Sequence, residues 1–258
     1  MSEKIRYLTF PVAILKDSLI DIKQCVNNAM YYCLYDYYLR YGGSKEIMIK
    51  EAGSFYGIKW GNKVSAFDKG KLLFESLPDK SPKTSISIAM IFDFYKNEKT
   101  EFEIITFLAF AAIRSILQRD RYKKMSNESL IGRMSGNSRK GEPINPLLNK
   151  YTKRYQLDKI KKELEINWGL KLYGKHTRGY YVSFKMDFES LMYQVEKRKK
   201  KYRLMKLQQE KKAAMEEVKR RFEEKDMDWK TLIEDRLLKN YLPDSNGNCL
   251  RGNNLSKL

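Results

Sequence analysis

Through most of the chain, hydrophobic residues recur at every third or fourth position, which is the period of an amphipathic α-helix. After an extended lead-in at residues 3–10, this period predicts a helix over residues 17–41. Ser44 is positioned to cap a second helix that ends at Gly57, and a third helix is predicted over residues 62–77. The N-terminal third of the chain is therefore predicted to be helical.

The middle of the chain combines an ambiguous segment with a strongly apolar one. Residues 84–96 fit a helix or a strand equally well, because their apolar positions do not follow a single period. Thr100 is followed by Glu101 and Glu103, and acidic side chains favour a helix start because they interact well with the positive end of the helix dipole. The helix that follows, to about Leu117, is apolar on nearly all sides. We expect it to be the buried central helix of the protein.

The elements that follow are shorter and more basic. Ser126 is expected to cap a short helix that ends at Gly136, and a basic helix is predicted over residues 152–168. Two strand-like segments, residues 170–173 and 180–184, come next and predict a β-hairpin. The tip of this hairpin consists of Gly174, Lys175, His176, Thr177, Arg178 and Gly179.

The positive charge of the chain is concentrated in this basic region. The 258 residues carry a formal net charge of +19. Residues 1–113 are nearly neutral, with 15 basic and 13 acidic side chains, whereas residues 114–185 hold 18 basic and 6 acidic ones. Positive charge that is concentrated in one block is typical of a surface that binds a polyanion such as nucleic acid.

The cysteine content and the hydropathy of the chain indicate the cellular compartment in which the protein is expected. The three cysteines, Cys25, Cys33 and Cys249, are too few for a disulfide framework, and the first two are expected to be small buried core residues. The first residues lack the apolar core of a signal peptide, and the longest apolar run, residues 104–113, is about half the length that spans a bilayer. We therefore expect a cytoplasmic protein that does not enter the membrane.

Side chains suited to catalysis are sparse. His176 is the one histidine of the sequence, and no phosphate-binding glycine motif is present. The acidic residues at 223–228 are interpreted as helix-end residues, and Asp93 with Glu101 and Glu103 makes a weak candidate for a metal site. We predict that the protein is not an enzyme and uses neither a cofactor nor a metal ion.

The basic helix predicted over residues 152–168 has two distinct faces at about 100° per residue. Its buried stripe consists of Leu157, Ile160, Leu164 and Trp168. The opposite stripe consists of Tyr155, Lys159, Lys162 and Ile166, with Arg154 to one side. Tyr and Lys side chains on an exposed helix can contact phosphates and base edges in a major groove. A merely solvated helix would have a similar face, but the adjacent basic hairpin favours an interface.

The order of helix, short helix, longer basic helix and basic-tipped hairpin resembles winged helix-turn-helix DNA-binding proteins over residues 100–186. The chain is also similar to uncharacterised proteins of mobile elements and prophages of Bacteroidales. These resemblances imply binding of double-stranded DNA, in replication initiation or in transcriptional control of a mobile element. Residues 46–74 carry a looser helix-turn-helix pattern, as in plasmid-type replication initiators. Their nearly neutral charge favours packing or homodimer contacts instead.

We expect nucleic acid to be bound through a set of basic and aromatic side chains in the charged block. Arg121, Lys123, Lys124 and Arg133 are expected to lie in loops beside the short helix and to grip phosphates without reading sequence. The predicted binding residues are Arg121, Lys123, Lys124, Arg133, Arg154, Tyr155, Lys159, Lys162, Lys175, His176 and Arg178. Two other functions fit the same basic face: an interaction or assembly protein that binds an acidic protein partner, and an RNA-binding protein.

The predicted fold class is mainly α with a small β-hairpin. Four segments are expected along the chain: a helical N-terminal domain (1–82), a winged helix-turn-helix domain (83–186), a long basic helical extension (187–241) and a disordered tail (242–258). The extension does not keep a strict heptad of apolar residues, which argues against a coiled coil.

Overall fold

The computed structural model of the protein describes residues 6–60, 63–78, 80–139, 141–174 and 179–223. Most of the described residues are helical and the strands are short, which confirms a fold that is mainly α with a small β-hairpin. The chain divides into two compact units, residues 1–193 and residues 194–258.

The N-terminal part consists of helices bounded by one antiparallel strand pair. Its elements are strand β1 (Tyr7–Pro11), a 3-10 helix (Val12–Leu15), helices α1 (Ile22–Tyr41), α2 (Lys45–Tyr56) and α3 (Lys63–Ser76), and strand β2 (Lys83–Ser87). Helix α1 begins where Asp21 accepts a hydrogen bond from the backbone N–H of Gln24 at 2.8 Å. Helix α2 ends at Gly57, whose left-handed φ of 70° suits a residue without a Cβ. The three helices confirm the predicted helical N-terminal third.

The remaining elements place a second sheet among helices. They are α4 (Ile88–Lys96), α5 (Glu101–Leu117), β3 (Lys123–Met125), α6 (Asn127–Met134), a second 3-10 helix (Pro146–Tyr151), α7 (Arg154–Asn167), β4 (Lys171–Tyr173), β5 (Tyr180–Ser183) and α8 (Phe188–Glu223). Strands β3, β5 and β4 form an antiparallel sheet in that order. The hairpin predicted from the alternating pattern is therefore the β4–β5 pair, with β3 added to its edge.

Local chemistry explains where several helices start. At α5, the Thr100 hydroxyl accepts from the backbone N–H of Glu103 at 3.3 Å, and the Glu103 carboxylate accepts from the Thr100 N–H at 2.8 Å. At α6, Ser126 and Ser129 make the same reciprocal pair. Both helix starts predicted from the sequence are confirmed.

The ambiguous segment at residues 84–96 contains both kinds of structure. Strand β2 ends at Ser87, whose hydroxyl accepts from the backbone N–H of Met90 at 3.4 Å and so caps α4. No single period could fit the segment, because its first residues alternate as a strand and its later residues repeat as a helix.

One hydrophobic core joins the elements of the first unit. Helix α5 is buried on nearly all sides, as predicted, and its Ile105, Phe107 and Leu108 are fully buried. The same core includes Phe10 of β1 and Val182 of β5.

The boundary predicted at residue 82 falls inside this unit. Strands β1 and β2 pair across it, and the backbone N–H of Val12 donates to the Pro82 carbonyl oxygen at 2.9 Å. This sheet needs both strands, because the backbone N–H and C=O groups of each strand are hydrogen-bonded to the other. The predicted boundary therefore falls between two strands of one sheet.

Two predictions about the C-terminal region have different outcomes. The long basic helix is present as α8 up to Glu223. The second helix and the tail, over residues 229–258, lie outside the described residues. None of the helices in the described ranges combines the length and the apolar character needed to cross a bilayer.

Candidate nucleic-acid interface

Helix α7 is held in place by its apolar stripe. Leu157, Ile160 and Leu164 are buried in the core, as predicted. The fourth residue of the stripe, Trp168, is partly buried, and its ring lies 5.0 Å from the ring of Phe110 on α5. Because this stripe faces the core, the opposite side of α7 is turned to solvent.

The outward face of α7 carries the residues predicted for it. Tyr155 keeps 74% of its surface exposed and Ile166 keeps 66%, while Lys159 and Lys162 between them are also exposed. Large side chains that remain this accessible on an ordered helix can contact a macromolecular partner without rearrangement of the core. We call these four residues the outer face of α7.

Lys159 has a neighbour that the sequence did not reveal. Its Nζ lies 4.8 Å from the ring centroid of Phe102, in the first turn of α5. This cation–π contact directs the ammonium group toward the start of α5. Lys162 has no ion pair with another described residue, so its charge is not neutralised locally.

The start of α7 presents further positive charge. The Arg154 side chain is 91% exposed, and its Nε lies 3.6 Å from the Asp158 carboxylate. Lys153 occupies the N-cap position without a side-chain cap, and the first turn holds no acidic residue. Uncapped backbone N–H groups at a helix start attract anions. Lys153 was not among the predicted binding residues, although its place in the first turn of the basic helix predicted over residues 152–168 was the available signal.

The segment that leads into α7 is fixed to the start of α5. Lys150 forms an ion pair with the Glu101 carboxylate, and the next residue along the chain, Tyr151, is buried. The Lys150 ammonium and the Tyr151 hydroxyl lower the pKa of Glu101 below its usual 4.5. Glu101 is therefore an anchor for the helix that carries the outer face.

Lys161 is a structural residue rather than part of the outer face. Its side chain is only 14% exposed, and its Nζ lies 2.6 Å from the Asp158 carboxylate and 3.4 Å from the Asn127 side-chain oxygen. It also lies 4.8 Å from the ring centroid of Tyr180. One lysine thus links α7 to the start of α6 and to strand β5.

The hairpin tip is only partly within the described residues. Lys175, His176 and Arg178, all predicted to bind nucleic acid, lie outside them. Gly179, the last residue of the tip, has a φ of +85°, and a Cβ there would collide with the backbone of Met125 in β3. Glycine is therefore required where the tip returns to the sheet.

Two of the lysines predicted to lie in a loop form an edge strand instead. Lys123 and Lys124 belong to β3, where they lie opposite Val182 and Tyr181 of β5. Lys123 pairs with Asp120 at 3.4 Å, while Lys124 is exposed and has no ion pair with a described residue. The strand was missed because its sequence, Lys-Lys-Met, does not alternate between polar and apolar residues.

The arginines nearest to β3 and α6 are more constrained. Arg121 has an exposed side chain, and its carbonyl oxygen accepts from the buried Ser183 hydroxyl at 2.7 Å. Arg133 lies in the last turn of α6, not beyond it, and is half-buried. Burial lowers the pKa of its guanidinium, and the Glu142 carboxylate opposes this shift. Arg133 is thus less available to a partner than Arg121.

The acidic and thiol side chains that could take part in catalysis or metal binding are either paired with neighbouring groups or buried. The Asp93 carboxylate lies 2.7 Å from Lys99 Nζ and 2.6 Å from the Asn97 amide nitrogen. Burial raises the pKa of the Cys25 thiol to about 11, and Cys33 is also buried, as predicted. No three His, Cys, Asp or Glu side chains converge as a metal site within the described ranges.

Comparisons of the chain with protein-family models, with curated proteins and with solved structures find no match. The function must therefore be argued from the charge and geometry of the molecule.

Proposed function

We propose that the protein binds double-stranded DNA through the outer face of α7 and the adjacent β4–β5 hairpin. The observation that carries this proposal is the exposed arrangement of Tyr155, Lys159 and Lys162 on a helix whose opposite side is locked into the core. A rigid helix with a Tyr/Lys face is suited to a major groove, where these side chains contact phosphates and base edges.

The order of elements supports a winged helix-turn-helix arrangement. A helix (α5), a strand (β3), two helices (α6 and α7) and a hairpin (β4–β5) follow one another, and β3 pairs with the hairpin. The segment between α6 and α7, residues 135–153, is longer than the three or four residues of a simple helix-turn-helix.

The distribution of charge supports a polyanionic partner. The block of residues 114–185 carries 12 more basic than acidic side chains, and several acids within it already have internal partners. Asp120 pairs with Lys123, and Asp158 pairs with Lys161. The remaining cations leave a net positive surface, which attracts phosphate groups and releases their counterions.

Each predicted residue has a role in the proposal. Tyr155, Lys159 and Lys162 contact the groove, and Arg154 contacts the DNA backbone at the start of α7. The remaining backbone contacts are assigned to Arg121, Lys123, Lys124, Arg133, Lys175, His176 and Arg178. Of these, Lys124 is better placed than Arg133, because Lys124 is exposed and unneutralised while Arg133 is half-buried.

The biological role that we infer is replication initiation or transcriptional control of a mobile element, acting in the cytoplasm. Two free, buried cysteines support a reducing compartment, because neither requires oxidation for the fold. The exposed, ordered side chains of α7 support recognition of a duplex rather than catalysis.

The direct test is the affinity of the full chain for a random-sequence duplex, measured by fluorescence anisotropy at low salt. The Lys159→Ala/Lys162→Ala variant should bind at least about tenfold more weakly, because two charge-assisted phosphate contacts are lost. The control is Lys69→Ala/Lys71→Ala, which removes the same charge from two exposed positions on α3.

The control should change the affinity by less than about threefold. Both variants lose the same net charge, so their long-range electrostatics are similar, and only the α7 variant loses direct contacts with DNA. Equal losses in both variants would contradict the assignment to α7. Single-stranded RNA and polyglutamate serve as further probes. A preference for RNA over the duplex, or binding of polyglutamate without binding of DNA, would replace the proposal with one of the two alternative functions.

A further inference from the structure

A cluster of aromatic side chains lies on the surface near the C-terminal ends of α1 and α2. The ring of Tyr37 lies 4.5 Å from that of Tyr41 and 5.5 Å from that of Phe55. Tyr41 is 63% exposed and Phe55 is 55% exposed. We call Tyr37, Tyr41 and Phe55 the aromatic patch.

The patch continues along α2. Ile47 lies two turns before Phe55 on the same side of the helix and is also 55% exposed. Glu51 lies between them and is exposed, which gives this apolar surface one charged residue. Exposed apolar groups that adjoin one another in this way mark interaction surfaces, whereas scattered ones need no explanation.

The charge of the chain indicates which partner fits the patch. The patch lies in residues 1–113, which carry two more basic than acidic side chains, whereas residues 114–185 carry an excess of 12. Two copies that met through their basic blocks would repel each other strongly, and an acidic partner would be drawn to those blocks instead. The nearly neutral surface is the one on which a second copy of the chain can dock.

The chemistry of the patch also suits contact with itself. A two-fold interface brings the same surface of both subunits together, so it must be self-complementary. Aromatic rings meet this condition, because they pack favourably against one another in offset or edge-to-face geometry and carry no net charge.

We propose that the aromatic patch binds the same patch of a second copy and makes the protein a homodimer. The dimer does not depend on DNA, so the inference goes beyond the proposed function. If the dimer and the proposed DNA binding both hold, the dimer carries two basic blocks, as dimeric proteins that bind two DNA half-sites do.

Sedimentation velocity of the full chain tests this proposal over about 1–100 µM protein without DNA. The measurement uses 0.5 M salt, which weakens DNA binding and screens repulsion between copies but leaves an apolar contact intact. The test variant is Tyr41→Ser/Phe55→Ser. The matched control is Val64→Ser/Leu72→Ser, which removes two large exposed apolar groups from α3. A single variant, Tyr41→Lys, places like charges face to face and provides an independent test.

The wild type and the control should sediment as dimers, and both patch variants should raise the dimer dissociation constant at least 100-fold. Circular dichroism checks that each variant is folded. If the double variant is unfolded, the result for Tyr41→Lys alone decides the test. A wild type that stays monomeric up to 100 µM would overturn the proposal. So would a folded patch variant that dimerises normally, or a control that dissociates as much as the patch variants.

Discussion

Glu101 illustrates how a single residue can support the interface without contacting a partner. It lies in the first turn of α5, where its carboxylate pairs with Lys150 and lies near Tyr151. These contacts connect α5 to the segment that precedes α7. The sequence predicted its helix-start role but not its pairing with Lys150, because that partner lies about fifty residues away. Long-range pairing of this kind depends on how the segment packs, which local patterns do not encode.

The lowered pKa of Glu101 predicts how stability depends on pH. A carboxyl whose pKa is lower in the folded than in the unfolded protein adds stability above its ordinary pKa of 4.5, and this is lost as the pH falls through its folded pKa. Glu101→Gln should therefore be less stable than the wild type near pH 7, and the difference should shrink toward pH 3. Urea unfolding across this range measures it.

The matched control for this experiment is Glu98→Gln, since Glu98 is exposed and has no ion pair with a described residue. Subtracting its stability difference from the wild type at each pH corrects for the loss of one carboxylate. If the Glu101→Gln difference stays constant from pH 7 to pH 3, the anchoring role assigned to this carboxylate is wrong.

Lys159 marks another limit of sequence-based prediction. The helical period correctly assigned it to the side of α7 opposite the buried stripe. Its contact with Phe102 follows from the way α7 packs on α5, which the period of one helix does not specify. The face of a side chain was therefore predictable, whereas its neighbour was not.

Among the elements, the helices with capping signals and the β4–β5 hairpin were predicted, whereas strand β3 was not. The starts of α5 and α6 follow from capping residues within four positions of each other. Strand β3 has no such signal, since Lys123 and Lys124 gain their strand conformation from pairing with β5. Strand β3 is therefore defined by its partner rather than by its own pattern.

Helix α6 offers a sharp test at the scale of one element. Gly136, just after its end, has a φ of +82°, and a Cβ there would lie 2.7 Å from the Ala13 Cα of the first 3-10 helix. Gly136→Ala should destabilise the protein by more than about 1–2 kcal/mol, because the strained φ and the backbone clash both oppose it. Urea unfolding gives the free energy.

Gly132 within α6 provides the control, because a Cβ there meets no atom within 4 Å. Gly132→Ala should stabilise the protein by about 0.5–1 kcal/mol, since alanine is the better helix former. Equal effects at the two glycines would show that the contact between α6 and the N-terminal 3-10 helix is not formed as described.

At the scale of the whole molecule, the basic block and the hydrophobic core have different boundaries along the chain. The sequence predicted a boundary near residue 82, where Pro78 and Pro82 lie close together. The core crosses that boundary, because β1 pairs with β2 and α5 packs against both sides. The basic block is therefore a property of the surface and not a separate folding unit among residues 1–193.

The central claim is that this basic surface binds duplex DNA, and its most direct test is the salt dependence of the affinity. Anisotropy titrations of the full chain with a random-sequence duplex, from about 50 to 300 mM salt, give the slope of log affinity against log salt. We expect a straight line with a slope steeper than about −4, because each neutralised phosphate contributes about −0.9. No binding at the lowest salt, or an affinity independent of salt, would contradict the account.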